Sequence, residues 1–336
     1  MLNILVTGGA GFIGSNFINY MLKNYTYNII NIDVLTYAAD LRNLRKVENA
    51  SNYRFIKGTI CDRTLIEKLF KEFDIDTVIN FAAESHVDRS IEYPDIFIET
   101  NVVGTQVLLN AAKKHWQVNG KCEYKENVKF IQVSTDEVYG SLGKEDFFTE
   151  ETNLAPNSPY SASKAAADVL VRAYHNTYGL PMNITRCSNN YGPNQYSEKL
   201  IPLMIKSALE EVPLPVYGDG MHIRDWLHVL DHCKAIDIVL HKGKSGQVYN
   251  IGGNNEMKNI DVVKLILRYL GKKETLIKFV PDRLGHDRRY AIDHSKITSE
   301  LGWIPTYSFE EGLKQTVNWY MENLPWLNID NPLLSH

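Results

Sequence analysis

Two side chains that can move a proton lie four residues apart near the middle of the chain. Tyr160 and Lys164 form the pattern Tyr-x-x-x-Lys, and residues with this spacing share one face of a helix. A phenol has a reference pKa of about 10, but a nearby positive charge would lower it and yield a phenolate able to take a proton from an alcohol. An ordinary Tyr/Lys pair on a helix surface has the same spacing, so this motif needs support from elsewhere.

Two adjacent carboxylic acids end an apolar run upstream of this pair. Asp136 and Glu137 follow Thr135, at the position from which side chains reach a ligand at the carboxyl edge of a parallel sheet. Thr135 can complete a hydroxyl, phenol and ammonium set with Tyr160 and Lys164. A simple dehydrogenase needs one base and a hydride acceptor, whereas loss of water from a sugar also needs a proton taken from carbon and a proton given to the departing hydroxide. The acid pair supplies both groups, although a loop with two solvated acids has the same sequence.

A glycine motif near the start predicts a dinucleotide site. Gly8, Gly11 and Gly14 follow an apolar strand and open a helix. Gly8 permits a tight turn, Gly11 lets the backbone approach a pyrophosphate, and Gly14 lets the helix pack on the sheet. Glycine turns of this kind also occur without a ligand, so the motif is weak on its own.

A carboxylate at the end of the second strand strengthens the dinucleotide hypothesis. Asp33 lies about 20 residues beyond the glycines, where it can accept hydrogen bonds from both hydroxyls of the adenosine ribose. Because it would repel a 2′-phosphate, NAD is favoured over NADP. The nicotinamide would add positive charge near Tyr160, and Lys164 can hold its ribose. Asp62 could accept from the adenine amino group or cap a helix over residues 64–70, and the sequence leaves both open.

The elements that must position these groups alternate between strand and helix. Helix-like segments such as residues 15–24 separate apolar runs of strand length at Asn3–Thr7, 27–33, 76–81, 128–134, 183–185 and Val248–Ile251. The alternation predicts parallel pairing, and we expect an α/β fold with a doubly wound parallel sheet (Rossmann). Residues 191–225 are rich in Pro, Gly and polar groups, so we expect a smaller substrate-binding lobe built mainly from the C-terminal part.

Charge and composition limit the partners. The 336-residue chain has a formal net charge of −4 with scattered Lys and Arg, which argues against nucleic acid as a partner. No stretch approaches the ~18 consecutive apolar residues that span a bilayer, and the first residues lack the features of a signal peptide; we expect a cytoplasmic protein with no membrane partner. The four cysteines are far apart, without disulfide or zinc-ligand spacing, so we expect free thiols and no metal.

Motifs along nearly the whole chain resemble the dTDP-glucose 4,6-dehydratases of the extended short-chain dehydrogenase/reductase family. The glycine and Tyr/Lys motifs identify only the superfamily, whereas the Thr-Asp-Glu triplet and the downstream motifs identify the dehydratases. The matching segments beyond the glycines and the Tyr/Lys pair are residues 82–90 (AAESHVDRS), 134–140 (STDEVYG), 187–193 (CSNNYGP), 198–202 (EKLIP), 223–226 (IRDW), 249–253 (YNIGG) and 286–290 (HDRRY).

The resemblance implies a mechanism. Tyr160 deprotonates the hydroxyl on carbon 4 of glucose as hydride passes to NAD, and the new carbonyl makes the carbon-5 proton acidic. Glu137 removes that proton, Asp136 protonates the hydroxyl that leaves carbon 6, the hydride returns to carbon 6, and Glu137 reprotonates carbon 5. NAD is regenerated in each turnover. The product is dTDP-4-keto-6-deoxy-glucose, a precursor of deoxysugars such as rhamnose.

The resemblance also implies the contacts of both ligands. NAD would contact Phe12, Ile13, Asp33, Asp62, Ala82, Thr100, Tyr160, Lys164 and Asn190. The sugar nucleotide would contact Ser85, Thr135, Asn189, Lys199, Leu200, Pro215, Tyr217, Arg224, Asn259, Asp282, Arg283 and His286. A guanidinium fork such as Arg224, or Arg288 if it points inward, suits a diphosphate, although a surface charge is the alternative for both.

The organisation of the chain predicts two domains, and the resemblance implies a homodimer. We expect an NAD-binding domain at residues 1–188 and 227–255 and a sugar-nucleotide-binding lobe at residues 189–226 and 256–328. The candidate dimer helices are residues 101–115 and 162–178, which could equally be helices that cover the sheet. The chain departs from the family pattern at Leu284, where Pro is expected, and at Ala39-Asp40, where Gly-Asn is common.

Two rival functions remain. A nucleotide-sugar 4-epimerase uses the same glycine loop and Tyr/Lys pair but has no need of the acid pair. A non-catalytic NAD-dependent sensor would bind NAD and leave the sugar nucleotide unchanged, but intact catalytic groups at every matched position count against it.

Overall fold

A parallel sheet forms the centre of the molecule. The computed structural model describes residues 2–120, 122–143, 145–282 and 285–327. In chain order the strands are β1 (Asn3–Thr7), β2 (Asn28–Asp33), β3 (Tyr53–Lys57), β4 (Thr77–Asn80), β5 (Gln117–Val118), β6 (Glu123–Tyr124), β7 (Lys129–Thr135), β8 (Met182–Cys187), β9 (Asn189–Tyr191), β10 (Leu214–Tyr217), β11 (Ile223–His228), β12 (Val248–Ile251), β13 (Glu256–Lys258) and β14 (Ile277–Val280).

Seven of these strands pair in parallel in the order β12-β8-β7-β4-β1-β2-β3. The strand order reverses between β1 and β4, which creates a crevice at the carboxyl ends of these strands where ligands bind in such sheets. The expected doubly wound Rossmann-type α/β fold is confirmed. The six strands expected from apolar runs are present within two residues at each end.

Helices cover both faces of the sheet. They are α1 (Phe12–Asn24), α2 (Arg63–Phe73), α3 (Val87–Glu92), α4 (Pro94–Phe97), α5 (Thr105–Trp116), α6 (Pro159–Tyr178), α7 (Leu200–Leu209), α8 (Val229–Lys242), α9 (Asn259–Tyr269), α10 (Ser295–Leu301) and α11 (Phe309–Glu322). Apolar residues of α1, α8 and α10 pack in one core cluster, and those of α2, α5 and α6 pack in a second. Burial on both faces explains why the strands read as continuous apolar runs.

Several of the elements that follow β8 lie outside the large sheet. Strands β9, β11 and β13 form one small sheet and β10 pairs with β14 in another, while α7, α9 and α11 share a separate apolar core. This agrees with the expectation that the chain leaves the sheet after residue 191. The exact lobe boundaries stay a prediction.

Two expectations about the whole chain can be compared with the described residues. The four cysteines are free, as expected. None of the helices in the described ranges combines the length and apolarity needed to cross a bilayer.

Candidate active site

A cavity of about 550 Å³ lies at the carboxyl edge of the sheet. The loops that follow β1, β2, β4, β7 and β8 all contribute to its wall, because parallel strands end at the same edge. The cavity therefore occupies the crevice created by the change in strand order.

The glycine loop forms one end of this cavity. Gly8 has a φ of 67°, and a Cβ there would lie 2.7 Å from the Ala82 nitrogen. A Cβ on Gly14 would lie 2.8 Å from the Gly9 Cα, so only glycine lets α1 pack this closely. Gly11 is the N-cap of α1 without a side-chain cap, and a Cβ there would meet only the Gly8 carbonyl, at 3.3 Å, among described atoms. The open N-terminus of a helix is suited to a pyrophosphate.

Asp33 lies beside this loop at the end of β2. It is 7% exposed, and its two oxygens accept hydrogen bonds from the Ala10 N–H at 2.9 Å and the Leu35 N–H at 2.8 Å. Burial raises the pKa of Asp33, while the two hydrogen bonds lower it. The carboxylate is thus fixed at the cavity wall by main-chain donors.

Most of the residues expected at the NAD site line this one cavity. They are Gly8, Gly11, Phe12, Ile13, Gly14, Asp33, Ala82, Thr100, Tyr160, Lys164 and Asn190. Asp62 does not line it: the residue is exposed and its Oδ1 accepts from the Leu65 N–H at 3.0 Å, which caps α2. Of the two roles left open for Asp62, the structure shows that of a helix cap. A contact with adenine stays a prediction.

The Tyr/Lys pair lies on α6, as the spacing predicts. A capping box at Ser158 starts the helix, and both side chains are buried at the cavity wall, with Tyr160 8% and Lys164 4% exposed. The Lys164 Nζ donates to the main-chain carbonyl of Val133 at 2.7 Å.

The pKa of Tyr160 differs from the expectation. Burial raises it well above the usual range, and the charges of Glu137, Cys187 and Asp136 raise it further, while a hydrogen bond with Thr135 lowers it. The pKa of Lys164 is lowered by burial. For the chain without a nicotinamide, the pKa of Tyr160 is thus raised and not lowered, because burial is the largest cause. The expectation also counted on the charge of the nicotinamide, so a lowered pKa in the NAD-bound protein stays a prediction.

The acid pair follows β7 directly. Thr135 caps a short 3₁₀ helix, Asp136–Tyr139, by accepting from the Glu137 N–H at 3.3 Å. Asp136 is 2% exposed, and its Oδ2 has no hydrogen-bond partner among the described residues. Burial, followed by the charges of Glu137 and Asp225, holds the pKa of Asp136 well above its usual range. Burial therefore favours the protonated form of Asp136.

The residues expected to hold the sugar nucleotide fall into three groups. Ser85, Thr135, Asn189 and Lys199 line the large cavity. Arg224 and His286 line a second cavity of about 60 Å³ that also borders Glu137. Outside these two cavities lie Leu200, Pro215, Tyr217, Asn259 and Asp282, and Arg283 and the departure at Leu284 are outside the described residues.

The two arginines proposed for a diphosphate differ in environment. Arg224 is 7% exposed, donates to the Asp287 carbonyl at 2.9 Å and stacks 4.3 Å from the Tyr290 ring centroid. Arg288 forms two hydrogen bonds with Asp219, at 2.8 and 2.9 Å, and both side chains are more than half exposed. Arg288 is therefore a surface charge in this structure, and Arg224 remains the candidate.

His286, which lines the second cavity, belongs to a His-Asp-His cluster with Asp282 and His222. Asp282 faces His222 Nε2 at 3.3 Å with one oxygen and His286 Nδ1 at 2.6 Å with the other. The two imidazole rings stack at 3.7 Å with an angle of 18°, so they do not aim at a common point in their ring planes. Hydrogen bonds to the carboxylate account for the cluster.

Glu198 and Cys187 are among the residues of the cavity wall that were not assigned a role in the site from the sequence. Glu198 has a side chain only 4% exposed, accepts a hydrogen bond from the Tyr37 hydroxyl at 3.3 Å and lies 3.6 Å from His86. Cys187 ends β8 beside the catalytic groups. Glu198 precedes Lys199 in a matched motif, which was the available signal.

Comparison with known proteins agrees with this geometry. The family model described as GDP-mannose 4,6 dehydratase matches residues 5–316. A dTDP-glucose 4,6-dehydratase of Xanthomonas campestris is 54% identical over 336 aligned residues, which cover 97% of this chain and 95% of the relative. The chain belongs to the dTDP-glucose 4,6-dehydratase family.

Solved structures of the family match over nearly the full length. The dTDP-glucose 4,6-dehydratase of Bacillus anthracis, in complex with NAD, is 56% identical with a TM-score of 0.88, and the match covers 97% of this chain and 98% of that one. The Streptomyces venezuelae enzyme, with NAD and TYD bound, is 45% identical with a TM-score of 0.92, covering 98% and 100%. A UDP-glucose 4-epimerase of Thermotoga maritima shares the fold at 31% identity, with a TM-score of 0.87 and coverage of 96% and 100%.

Proposed function

We propose that this chain is an NAD-dependent hydro-lyase that converts dTDP-glucose to dTDP-4-keto-6-deoxy-glucose and water. One observation carries the proposal: Asp136 and Glu137 lie in the wall of the same cavity as Tyr160 and Lys164. Oxidation of an alcohol and elimination of water require both sets of groups at one substrate.

The chain's own residues fit NAD. The open N-terminus of α1 at Gly11 is suited to the diphosphate, and the carboxylate of Asp33 is suited to the adenosine ribose hydroxyls. When bound, NAD accepts the hydride from carbon 4, returns it to carbon 6, and adds the positive charge that favours the phenolate of Tyr160.

Tyr160 takes the proton of the carbon-4 hydroxyl. The Thr135 side chain lowers the pKa of the phenol and so favours its charged form. The Lys164 ammonium donates a hydrogen bond to the Val133 carbonyl. In this position it binds the nicotinamide ribose of the cofactor. These groups bind and orient the reacting oxygen at the end of β7.

The acid pair carries out the three remaining proton transfers. Asp136 is the general acid for the hydroxyl on carbon 6, because burial raises its pKa and favours its protonated form. Glu137 is the base that removes the carbon-5 proton and later returns it. Glu137 lines both the large cavity and the small one, so the two cavities adjoin at the acid pair. Arg224 lines the small cavity, and its guanidinium is a suitable partner for the diphosphate of a substrate that extends from one cavity into the other.

A 4-epimerase is the alternative function. It would use the same Tyr/Lys pair and return hydride to carbon 4 on the other face of the sugar. The buried Asp136, whose pKa is raised, has no role in that reaction, and the relatives at 54% identity carry the dehydratase name, so the dehydratase is favoured.

We also propose that the protein is cytoplasmic and that its product is a precursor of rhamnose-type deoxysugars.

We further propose that the protein is a homodimer. Apolar side chains are exposed next to α5 and on α6, at Ile98 (49%), Val103 (39%) and Val169 (54%), and a second copy of the chain would cover them. Light scattering at micromolar concentration tests the dimer; a monomer mass would contradict it.

Incubation with dTDP-glucose tests the activity. The purified protein, without added NAD, should yield a product lighter by one water that absorbs in alkali as a keto sugar. If no product forms, NAD is added, and UDP-glucose is then offered. Conversion to the galactose isomer without loss of mass would identify an epimerase instead.

A further inference from the structure

A buried guanidinium connects the two elements that carry the catalytic groups. Arg186 on β8 is 2% exposed, and its Nε donates to Asp168 Oδ2 at 2.9 Å. Asp168 is fully buried on α6, one turn after Lys164. The Arg186 Nη1 donates to the Tyr139 hydroxyl at 2.9 Å, and Tyr139 is the last residue of the 3₁₀ helix Asp136–Tyr139. One side chain therefore contacts both the Tyr/Lys helix and the acid-pair turn.

The Tyr139 phenol is also held from other sides. Its hydroxyl donates to Asn250 Oδ1 at 2.7 Å, and Asn250 on β12 lies beside Arg186 in the register of paired strands. The Tyr139 ring stacks on Phe148 at 4.9 Å, and the Arg186 guanidinium carbon lies 4.9 Å from its centroid. Because strand pairing fixes both partners of the hydroxyl, the end of the acid-pair turn has one defined position.

The network also acts on the Tyr/Lys helix. The charge of Asp168 raises the pKa of Lys164, which burial lowers. Asp168 forms an ion pair with Arg186 in the core, and a buried pair of this kind is costly to break. The buried Arg186–Asp168 pair therefore influences the pKa of Lys164, which lines the cavity.

We propose that Arg186 and Tyr139 are positioning residues. They fix the position of the acid pair relative to the Tyr/Lys pair, so that dehydration follows oxidation at the same substrate. The inference rests on the proposed function. Oxidation at carbon 4 depends on α6, whereas proton removal at carbon 5 depends on where the turn places Glu137. A misplacement of about 1 Å can cost on the order of 100-fold in rate, so a displaced turn would slow the second step more than the first.

The variant Tyr139→Phe tests the role, because it removes one hydroxyl and leaves the Arg186 pair with Asp168. Tyr174→Phe is the matched control: the Tyr174 hydroxyl also donates to an asparagine Oδ1, that of Asn110, at 2.7 Å, and this residue does not line the cavity. Stopped-flow absorbance of enzyme-bound NADH follows oxidation, and rapid-quench mass spectrometry follows loss of water.

With Tyr139→Phe, we expect oxidation within about twofold of the unmodified protein and dehydration slowed on the order of 10-fold, so that bound NADH accumulates. Tyr174→Phe should leave the ratio of the two rates unchanged. Equal slowing of both steps in Tyr139→Phe, no slowing, or the same altered ratio in Tyr174→Phe would overturn the positioning role.

A second variant keeps the test valid if Tyr139→Phe does not fold. Arg186→Lys retains a positive charge beside Asp168, but its single ammonium replaces the guanidinium that donates to both Asp168 and Tyr139. This variant should also lower the rate of dehydration relative to that of oxidation. Failure of both variants to fold, judged by melting temperature and NAD content, would assign the network a structural role only and overturn the proposal. The unmodified protein is assayed in parallel; if it forms no dehydrated product, the proposed function itself has failed.

Discussion

Asp33 and Ala10 connect the end of β2 to the glycine loop, because the Asp33 Oδ2 accepts a hydrogen bond from the Ala10 N–H at 2.9 Å. The other carboxylate oxygen accepts from the Leu35 N–H at 2.8 Å. Both oxygens of a buried acid are thus oriented by main-chain donors, and the carboxylate that is expected to meet the adenosine ribose is positioned by the chain itself.

Asp33→Asn should weaken NAD binding and reduce the preference for NAD over NADP. The amide keeps the size of the side chain but loses the negative charge. Its oxygen can accept a hydrogen bond but its nitrogen cannot, so either the Ala10 or the Leu35 N–H loses its partner. A loss of about 1.4 kcal/mol, or tenfold in Kd, is expected for NAD. Titration of the protein freed of cofactor with both dinucleotides measures the ratio; an unchanged ratio would contradict the role of Asp33.

Local sequence patterns were sufficient to predict the scaffold of the site. The strands β1 and β12 have the predicted bounds, because short apolar runs between turns are a local signal. Gly8, Gly11 and Gly14 were predicted with their separate roles, since each requirement lies within one strand-turn-helix unit. The Tyr160 and Lys164 pair required only helical periodicity.

Properties that depend on tertiary environment could not be predicted in this way. The raised pKa of Tyr160 results from burial beside Glu137 and Cys187, and no spacing rule contains that burial. The enclosure of Glu198 likewise depends on Tyr37, which is distant in sequence. Pairing between Ile223 and Arg289 brings distant segments to one cavity wall, and only the resemblance to a known family had grouped them.

Gly8→Ala should destabilise the protein and reduce the NAD it retains. The added Cβ would approach the main chain at Ala82, at 2.7 Å from its nitrogen, with a φ of 67°. Gly302→Ala is a matched control, because Gly302 has a φ of 79° and no described atom within 4 Å of a Cβ there. Unfolding free energies from denaturant titration should fall by ~3 kcal/mol for Gly8→Ala and ~1 kcal/mol for Gly302→Ala. Equal losses would show that close packing at Gly8 is unimportant.

Asp136→Asn should raise stability while it removes activity. The folded-state pKa of Asp136 is raised above its unfolded value, so its contribution to stability is full below the unfolded pKa and is lost as pH rises through the folded pKa. The amide has no such loss. The melting temperature of the variant, relative to the unmodified protein, should therefore increase as pH rises from the unfolded pKa of Asp136 through its raised folded pKa. A difference that does not depend on pH would refute the raised pKa.

The dehydration rate should also depend on pH through Asp136. As a general acid it must be protonated, so the rate should fall as pH rises through its raised pKa, while the fraction of NAD reduced at the start of turnover should not fall with it. Rapid-quench measurements over a pH series separate the two. A dehydration rate that rises over the same range would exclude Asp136 as the acid.

Glu137→Gln should abolish exchange of the carbon-5 proton and still permit reduction of NAD. The amide cannot accept the proton, and loss of one general base costs on the order of 10²- to 10⁴-fold. Incubation in deuterated water followed by mass spectrometry measures incorporation at carbon 5. Exchange at the rate of the unmodified protein would rule out Glu137 as the base.

The fate of the hydride tests internal redox dehydration most directly. The protein is incubated with dTDP-glucose that carries deuterium on carbon 4, and the product is examined by nuclear magnetic resonance. The proposed reaction predicts a 4-keto-6-deoxy product with the deuterium on carbon 6. Deuterium returned to carbon 4 of an isomerised sugar, or a dehydrated product with no deuterium on carbon 6, would contradict it.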